Sequence, residues 1–162
     1  MSDKPFIHVS IARQRLQLRE GRRVLCEYPV STARAGVNCR ENSGGTPVGR
    51  LRVMARIGAG APLHAVFVGR RPTGEIWTPA LSQAAPQRDW ILGRILWLGG
   101  MDWGRNRGGG VDTLRRYIYI HGTPPAEPLG VPASHGCIRM ACEDVAALFD
   151  RVPVGTAVRI VP

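Results

Sequence analysis

Two neighbouring stretches decide how this chain is read: Tyr119-Ile120-His121-Gly122-Thr123 and Ser134-His135-Gly136-Cys137-Ile138-Arg139-Met140. The first closes the run Arg115-Arg116-Tyr117-Ile118-Tyr119-Ile120-His121, whose aromatic and β-branched residues predict a buried strand ending on a histidine. The second sets a cysteine directly after a glycine, at the approach to a helical turn. Thiol and imidazole meet only if the Pro-rich loop between them folds back, at a modest cost in loop-closure entropy. A cysteine beside histidine and converging backbone N–H groups has a stabilised thiolate and serves as a nucleophile. Gly136 lets the backbone bend so that the N–H groups of Gly136 and Cys137 point at one spot, an oxyanion hole.

Outward from this centre the chain reads as mostly β. Ile7, Val9 and Ile11 alternate with His8 and Ser10, Leu16 and Leu18 alternate with Gln17 and Arg19, and Glu20-Gly21 turns into Val24 to Val30. That is a meander of three short strands. A loop rich in turn formers, Ser31 to Gly49, leads to a strand around Leu51 to Arg56, with another at Ala65 to Val68. Between residues 72 and 110 the periodicity is poor while Trp77, Trp90, Trp97 and Trp103 are concentrated there. This predicts a long loop excursion with its own aromatic packing. Val145, Leu148, Phe149 and Val152 fall at helical spacing, with Glu143 and Asp144 in the first turn and Pro153 and Gly155 beyond the end. One amphipathic helix, then a closing strand Ala157 to Val161, complete a single domain over residues 1–162 that is mainly β.

Composition narrows the function classes. The chain has 162 residues, 44% hydrophobic and 21% charged, which suits one compact core. Its formal charge of +10 attracts anionic partners. Lys4 is the only lysine and the arginines are dispersed from Arg13 to Arg159, so there is no polybasic tail. No stretch reaches the roughly 18 to 20 apolar residues of a membrane span. The start, Met1 to Val9, lacks an apolar leader region, which leads to the expectation of a cytoplasmic protein, or a periplasmic one if a leader has been removed. Cys26, Cys39, Cys137 and Cys142 are too sparse for a disulfide framework and are expected as free thiols.

Other chemistries fit less well. Cys26 and Cys142 read as small buried hydrophobes, and His8 and His64 as ordinary surface or core histidines. Zinc ligand types are present, but there is no paired Cys-x-x-Cys or His-x-x-x-His knuckle, so no metal and no cofactor is expected. Gly44 to Gly49 lacks the Gly-Lys-Ser/Thr ending of a phosphate loop. Nucleic acid is not an expected partner either, for there is neither a recognisable module nor a basic stripe interleaved with aromatics.

In these residues the chain resembles the L,D-transpeptidase catalytic domain, the YkuD-like family of cysteine enzymes acting on peptidoglycan. His121-Gly122-Thr123 and Ser134-His135-Gly136-Cys137-Ile138-Arg139 look like its signature. Gln14-Arg15-Leu16, Tyr28-Pro29-Val30-Ser31-Thr32, Thr46-Pro47-Val48-Gly49, Arg94-Ile95-Leu96-Trp97 and Val154-Gly155-Thr156-Ala157-Val158 look like family landmarks in family order. The resemblance implies a β-sandwich-type fold with the cysteine in a cleft. It also implies that Cys137 attacks the bond joining the L-centre of a diamino acid to terminal D-alanine in a tetrapeptide stem, leaving a thioester. His121 is then the base and later the acid, its ring held by a carbonyl assigned to Gly122. The N–H groups of His135, Gly136 and Cys137 hold the oxyanion. Arg139 pairs with a substrate carboxylate or braces the loop, the former slightly favoured, and Ser134 shapes the substrate site.

The partner implied is a peptidoglycan stem or muropeptide. Three functions follow. The first, and the favoured one, is a cytoplasmic L,D-carboxypeptidase of murein recycling, in which water resolves the thioester. The second is a periplasmic L,D-transpeptidase, in which an amine does. The third, from another class, is a non-catalytic module binding an anionic ligand.

Overall fold

The structure, a computed structural model, describes residues 4–162. Strands β1 (Phe6–Ser10), β2 (Arg15–Glu20) and β3 (Arg23–Pro29) form the expected meander. They are followed by β4 (Gly49–Ile57), β5 (Ala65–Val68), β6 (Arg71–Ile76), a short helix α1 (Pro79–Ala84) and β7 (Ile91–Gly100). Then come β8 (Tyr119–Thr123), β9 (Ile138–Ala141), the main helix α2 (Cys142–Phe149) and β10 (Ala157–Val161). The ten strands among the described residues belong to one hydrogen-bonded sheet, ordered β3-β2-β1-β10-β4-β7-β5-β6, from which β8 and β9 branch at β7. The closing strand β10 runs parallel to β1, and β9 runs parallel to β8; the other pairings are antiparallel. The mostly β architecture with one main helix agrees with the sequence reading. The two faces of the sandwich are parts of one curled sheet.

Alternation in the outer strands follows from their half-buried setting. In β10, Val158 and Ile160 enter the core while Ala157 and Arg159 face out, and Ile7 and Val9 of β1 enter beside them. The core gathers these with Leu16, Leu51, Val53, Leu98 and Ile120. Helix α2 closes one side through Val145, Leu148 and Phe149, each worth about 1.5–3 kcal/mol of apolar burial. Arg56 lies 4.0 Å from the Phe149 ring centroid and donates to the Phe149 carbonyl at 2.7 Å, fastening the helix to β4.

Residues 72–110 differ from the expected loop excursion. They hold most of β6, all of α1 and the longest strand, β7. β7 pairs with β4, β5 and β8, so Leu92, Ile95, Leu96 and Leu98 are all fully buried. A strand covered on both faces has no reason to alternate, which is why its pattern did not read as β. Trp77 and Trp90 do form a satellite cluster with Val66, Leu92 and Cys142, whereas Trp103 is 73% exposed. Two further boundaries shift. The strand expected from Arg115 begins at Tyr119, because residues 114–117 form a turn with Tyr117 at φ 56°. Cys137 precedes strand β9, not a helical turn; α2 starts at Cys142.

Candidate active site

The parallel pairing of β8 with β9 brings the two sequence stretches together. Ile120 is in register with Ile138 and His121 with Arg139, so Cys137 enters β9 alongside the start of β8. Tyr119 and His121, two residues apart, share one face of β8. The Cys137 Sγ accepts the Tyr119 N–H at 3.3 Å and lies 3.4 Å from the Tyr117 carbonyl, which takes the thiol proton. His121 is 1% exposed, with Nδ1 2.8 Å from the Gly122 carbonyl. A carbonyl only accepts, so Nδ1 carries the proton and Nε2 keeps its lone pair. Gly122 is needed here, because a Cβ would stand 2.5 Å from the Leu92 carbonyl and 3.0 Å from the Cys142 Sγ.

Burial governs the charge state of both groups. It lowers the His121 pKa, against the raising effects of the Gly122 carbonyl and Asp89. It pushes the Cys137 thiol up to about 12, opposed by the Tyr119 N–H. Both shifts favour a neutral thiol beside a neutral imidazole. This differs from the expected thiolate stabilised by imidazolium.

The loop before Cys137 is held from within and from below. Buried Ser134 donates its hydroxyl to the Cys137 carbonyl at 2.6 Å and accepts the Gly136 N–H at 3.2 Å. Thr46, also fully buried, donates to the Gly136 carbonyl at 2.9 Å and accepts the Ala33 N–H at 2.9 Å. A trans peptide points its C=O and N–H in opposite directions. Anchoring the Gly136 carbonyl on Thr46 therefore turns the Cys137 N–H away from Thr46. Gly136 sits at φ 135°, and a Cβ would lie 3.3 Å from the Gly45 carbonyl, so glycine suits both its conformation and its space.

These contacts revise the oxyanion donors. The Gly136 N–H is spent on Ser134, whereas those of His135 and Cys137 have no protein acceptor among the described residues. Ser134 itself is committed to the loop and does not present its hydroxyl as a substrate ligand. Arg139 likewise changes role. Its side chain is 7% exposed and pairs with Asp89 at 3.0 Å and Glu127 at 3.7 Å, while donating to the Ala133 carbonyl at 3.3 Å. The bracing reading fits this geometry better than the substrate one. His135, exposed, lies with Nδ1 3.4 Å from the other Asp89 oxygen, so Asp89 ties both residues flanking Gly136-Cys137-Ile138.

The site opens into a cavity of about 480 Å³ whose lining includes Arg70, Asp89, Arg116, Tyr119, His121 and Cys137. Sequence reading missed Arg70, Asp89, Arg116 and the anchoring role of Thr46. Only Thr46 had a signal, inside the Thr46-Pro47-Val48-Gly49 landmark. Asp89 lay in the stretch taken for a loop, and a lone arginine or aspartate carries no local pattern.

Comparison with known proteins bears on this arrangement. A probable L,D-transpeptidase, YbiS of Escherichia coli K12, is 32% identical over 111 residues, covering 67% of this chain and 35% of the relative. The chain thus spans about a third of that protein's length. An L,D-transpeptidase from Mycobacterium smegmatis superposes with a TM-score of 0.59 at 18% identity, covering 98% of this chain and 59% of the other. L,D-transpeptidase 3 from Mycobacterium tuberculosis, solved with a faropenem-derived adduct, gives 0.57 at 18% identity over 98% of this chain and 60% of the other. These structures share the fold. The sequence profile of the L,D-transpeptidase catalytic domain, YkuD, matches residues 4–160, and with the Cys137–His121 site framed by β8 and β9 the chain belongs to that family.

Proposed function

We propose that the protein is an L,D-acyl transferase of peptidoglycan, working through a thioester on Cys137. The observation that carries this reading is the Cys137 Sγ held at the Tyr119 N–H in the same cavity as a buried His121 whose Nδ1 is pinned to Gly122. In the proposed reaction Sγ attacks the carbonyl between the L-centre of the diamino acid and terminal D-alanine. His121 Nε2 takes the thiol proton as the S–C bond forms. The N–H groups of Cys137 and His135 carry the negative charge that develops on the carbonyl oxygen. His121 returns the proton to the leaving D-alanine nitrogen, and the thioester remains.

The acceptor in this reading is an amine, so the product is a cross-link. Two points support it. The relatives bear transpeptidase names. A second, polar cavity of about 280 Å³ adjoins the first at Asp89, His135 and Arg139, which leaves room beside the thiol for an acceptor strand. Hydrolysis of free stems in the cytoplasm is the competing reading. Incubation with free tetrapeptide and with paired stems, followed by mass spectrometry, separates them. Cross-linked dimer is expected; tripeptide as the dominant product from paired stems would replace transpeptidase by carboxypeptidase. No product from either, with Cys137 unmodified by a carbapenem or penem, would remove the enzyme reading and leave the binding module.

A further inference from the structure

Three arginines line the Cys137 cavity, and two of them are spent. Arg139 is taken up by Asp89, Glu127 and the Ala133 carbonyl. Arg116 donates to the carbonyls of Gly45 at 2.7 Å and Asn38 at 3.1 Å and to the Ser43 hydroxyl at 3.4 Å, bracing the loop that packs on Gly136. Arg70 makes a single hydrogen bond, from Nη1 to the Tyr119 hydroxyl at 2.9 Å, and no carboxylate pairs with it among the described residues. We propose that Arg70 is a substrate-carboxylate subsite, a cation held ready at the wall of the cavity that contains the nucleophile. This rests on the peptide-stem reading above and adds to it the part of the stem that is recognised.

The mounting of Arg70 supports this. Its guanidinium carbon lies 4.6 Å from the Trp97 ring centroid and 4.9 Å from that of Tyr117, and Trp97 in turn meets Tyr117 and Tyr119 at 6.0 Å. Aromatic faces fix the planar cation, so little freedom is left to lose when a ligand binds. Four of its five N–H groups remain for that ligand, in the fork that matches a carboxylate. Tyr119 links the subsite to the chemistry, with its N–H on the Cys137 Sγ and its hydroxyl on Arg70.

The backbone adds an independent observation. Val68 pairs with Arg71, so Gly69-Arg70 is a two-residue hairpin turn, with φ 56° and 64°. Such turns favour Asn, Asp or Gly at both positions, Gly most of all at the second. An arginine held left-handed there works against the hairpin, and strain of this kind gathers at ligand clamps.

A stem offers a carboxylate at its terminal D-residue and, where the diamino acid carries one, a second there. The test compares three tetrapeptides: the free acid, its C-terminal carboxamide, and the carboxamide of the diamino acid. Wild-type protein and Arg70→Asn, a substitution that suits the left-handed turn and so keeps the hairpin folded, are assayed on each. One amidation is expected to lower wild-type kcat/KM about 10- to 100-fold, the usual effect of losing a charge-assisted pair, and to leave Arg70→Asn unaffected. Which amide is discriminated identifies the carboxylate. The subsite is overturned if neither amide slows the wild type, or if Arg70→Asn slows all three stems equally, as a purely structural arginine would. No turnover of any stem by wild type would instead overturn the functional reading, and the subsite with it.

Discussion

The cavity has two walls of different construction. The wall formed by β8, β9 and the loop 134–137 is mostly buried apart from the exposed His135, paired through a strand ladder, and locked by Thr46 and Ser134 against the backbone of Gly136 and Cys137. The facing parts, the turn of the β5–β6 hairpin and the turn before Tyr119, rest on ring and cation contacts, with Val68 59% and Tyr117 54% exposed. The first wall is built to hold a few atoms still, as stabilisation of a developing charge requires. The second presents charge and aromatic surface where ligand identity is read.

If that contrast holds, substitutions in the first wall cost turnover on every substrate, and those in the second cost discrimination. The largest expected effect is from Cys137→Ala, which abolishes product formation and covalent capture by a penem, both read by mass spectrometry. Residual product would remove Cys137 from the nucleophile role. His121→Ala should lower kcat/KM by about 10²- to 10⁴-fold, the usual contribution of a positioned acid–base group.

The pH dependence should follow the same wall. Because burial lowers the His121 pKa, kcat/KM should stay level down through pH 6.5 and fall only as the medium acidifies through the lowered value. Stability has the same sign, since the unfolded histidine binds the proton more readily: the contribution is fully present above about pH 6.5 and is lost as pH falls through the folded value. With the thiol pushed up to about 12, alkylation of Cys137 by iodoacetamide should keep accelerating with pH beyond 9. A plateau already reached near neutrality would mean a preformed ion pair instead.

Smaller effects sharpen the contrast. Thr46→Val removes the hydroxyl that fixes the Gly136 carbonyl and strands the Ala33 N–H, so kcat should drop about 10-fold or more on all stems while KM stays nearly constant. Asp89→Ala leaves the buried Arg139 guanidinium short of a partner; denaturant unfolding should show a loss of about 1–3 kcal/mol, with Glu127 and solvent limiting it. Arg70→Asn relieves the left-handed arginine but gives up its ring contacts and its bond to Tyr119, two effects of about 1 kcal/mol and opposite sign, so the melting temperature should change little. A marked fall in stability would place Arg70 among the structural arginines.

Legibility followed the same division. Cys137, His121, Gly136 and Gly122 stood in two short local patterns, and the outer strands and α2 announced themselves by alternation or helical spacing. β7 did not, because a strand buried on both faces loses the period that reveals a half-buried one. The other residues lining the cavity did not either, since Arg70, Asp89 and Arg116 come from separate segments and are joined only by the fold.

By itself, then, the sequence determined a mostly β domain, its main helix and the two short patterns that carry Cys137 and His121, since each rests on neighbours a few residues apart. Tertiary structure decided what those residues face. It spent the Gly136 N–H on Ser134, turned Arg139 inward to Asp89, and set thiol and imidazole where burial raises the pKa of the one and lowers that of the other. Desolvation and long-range pairing depend on which segments meet in space, and no local spacing carries that information.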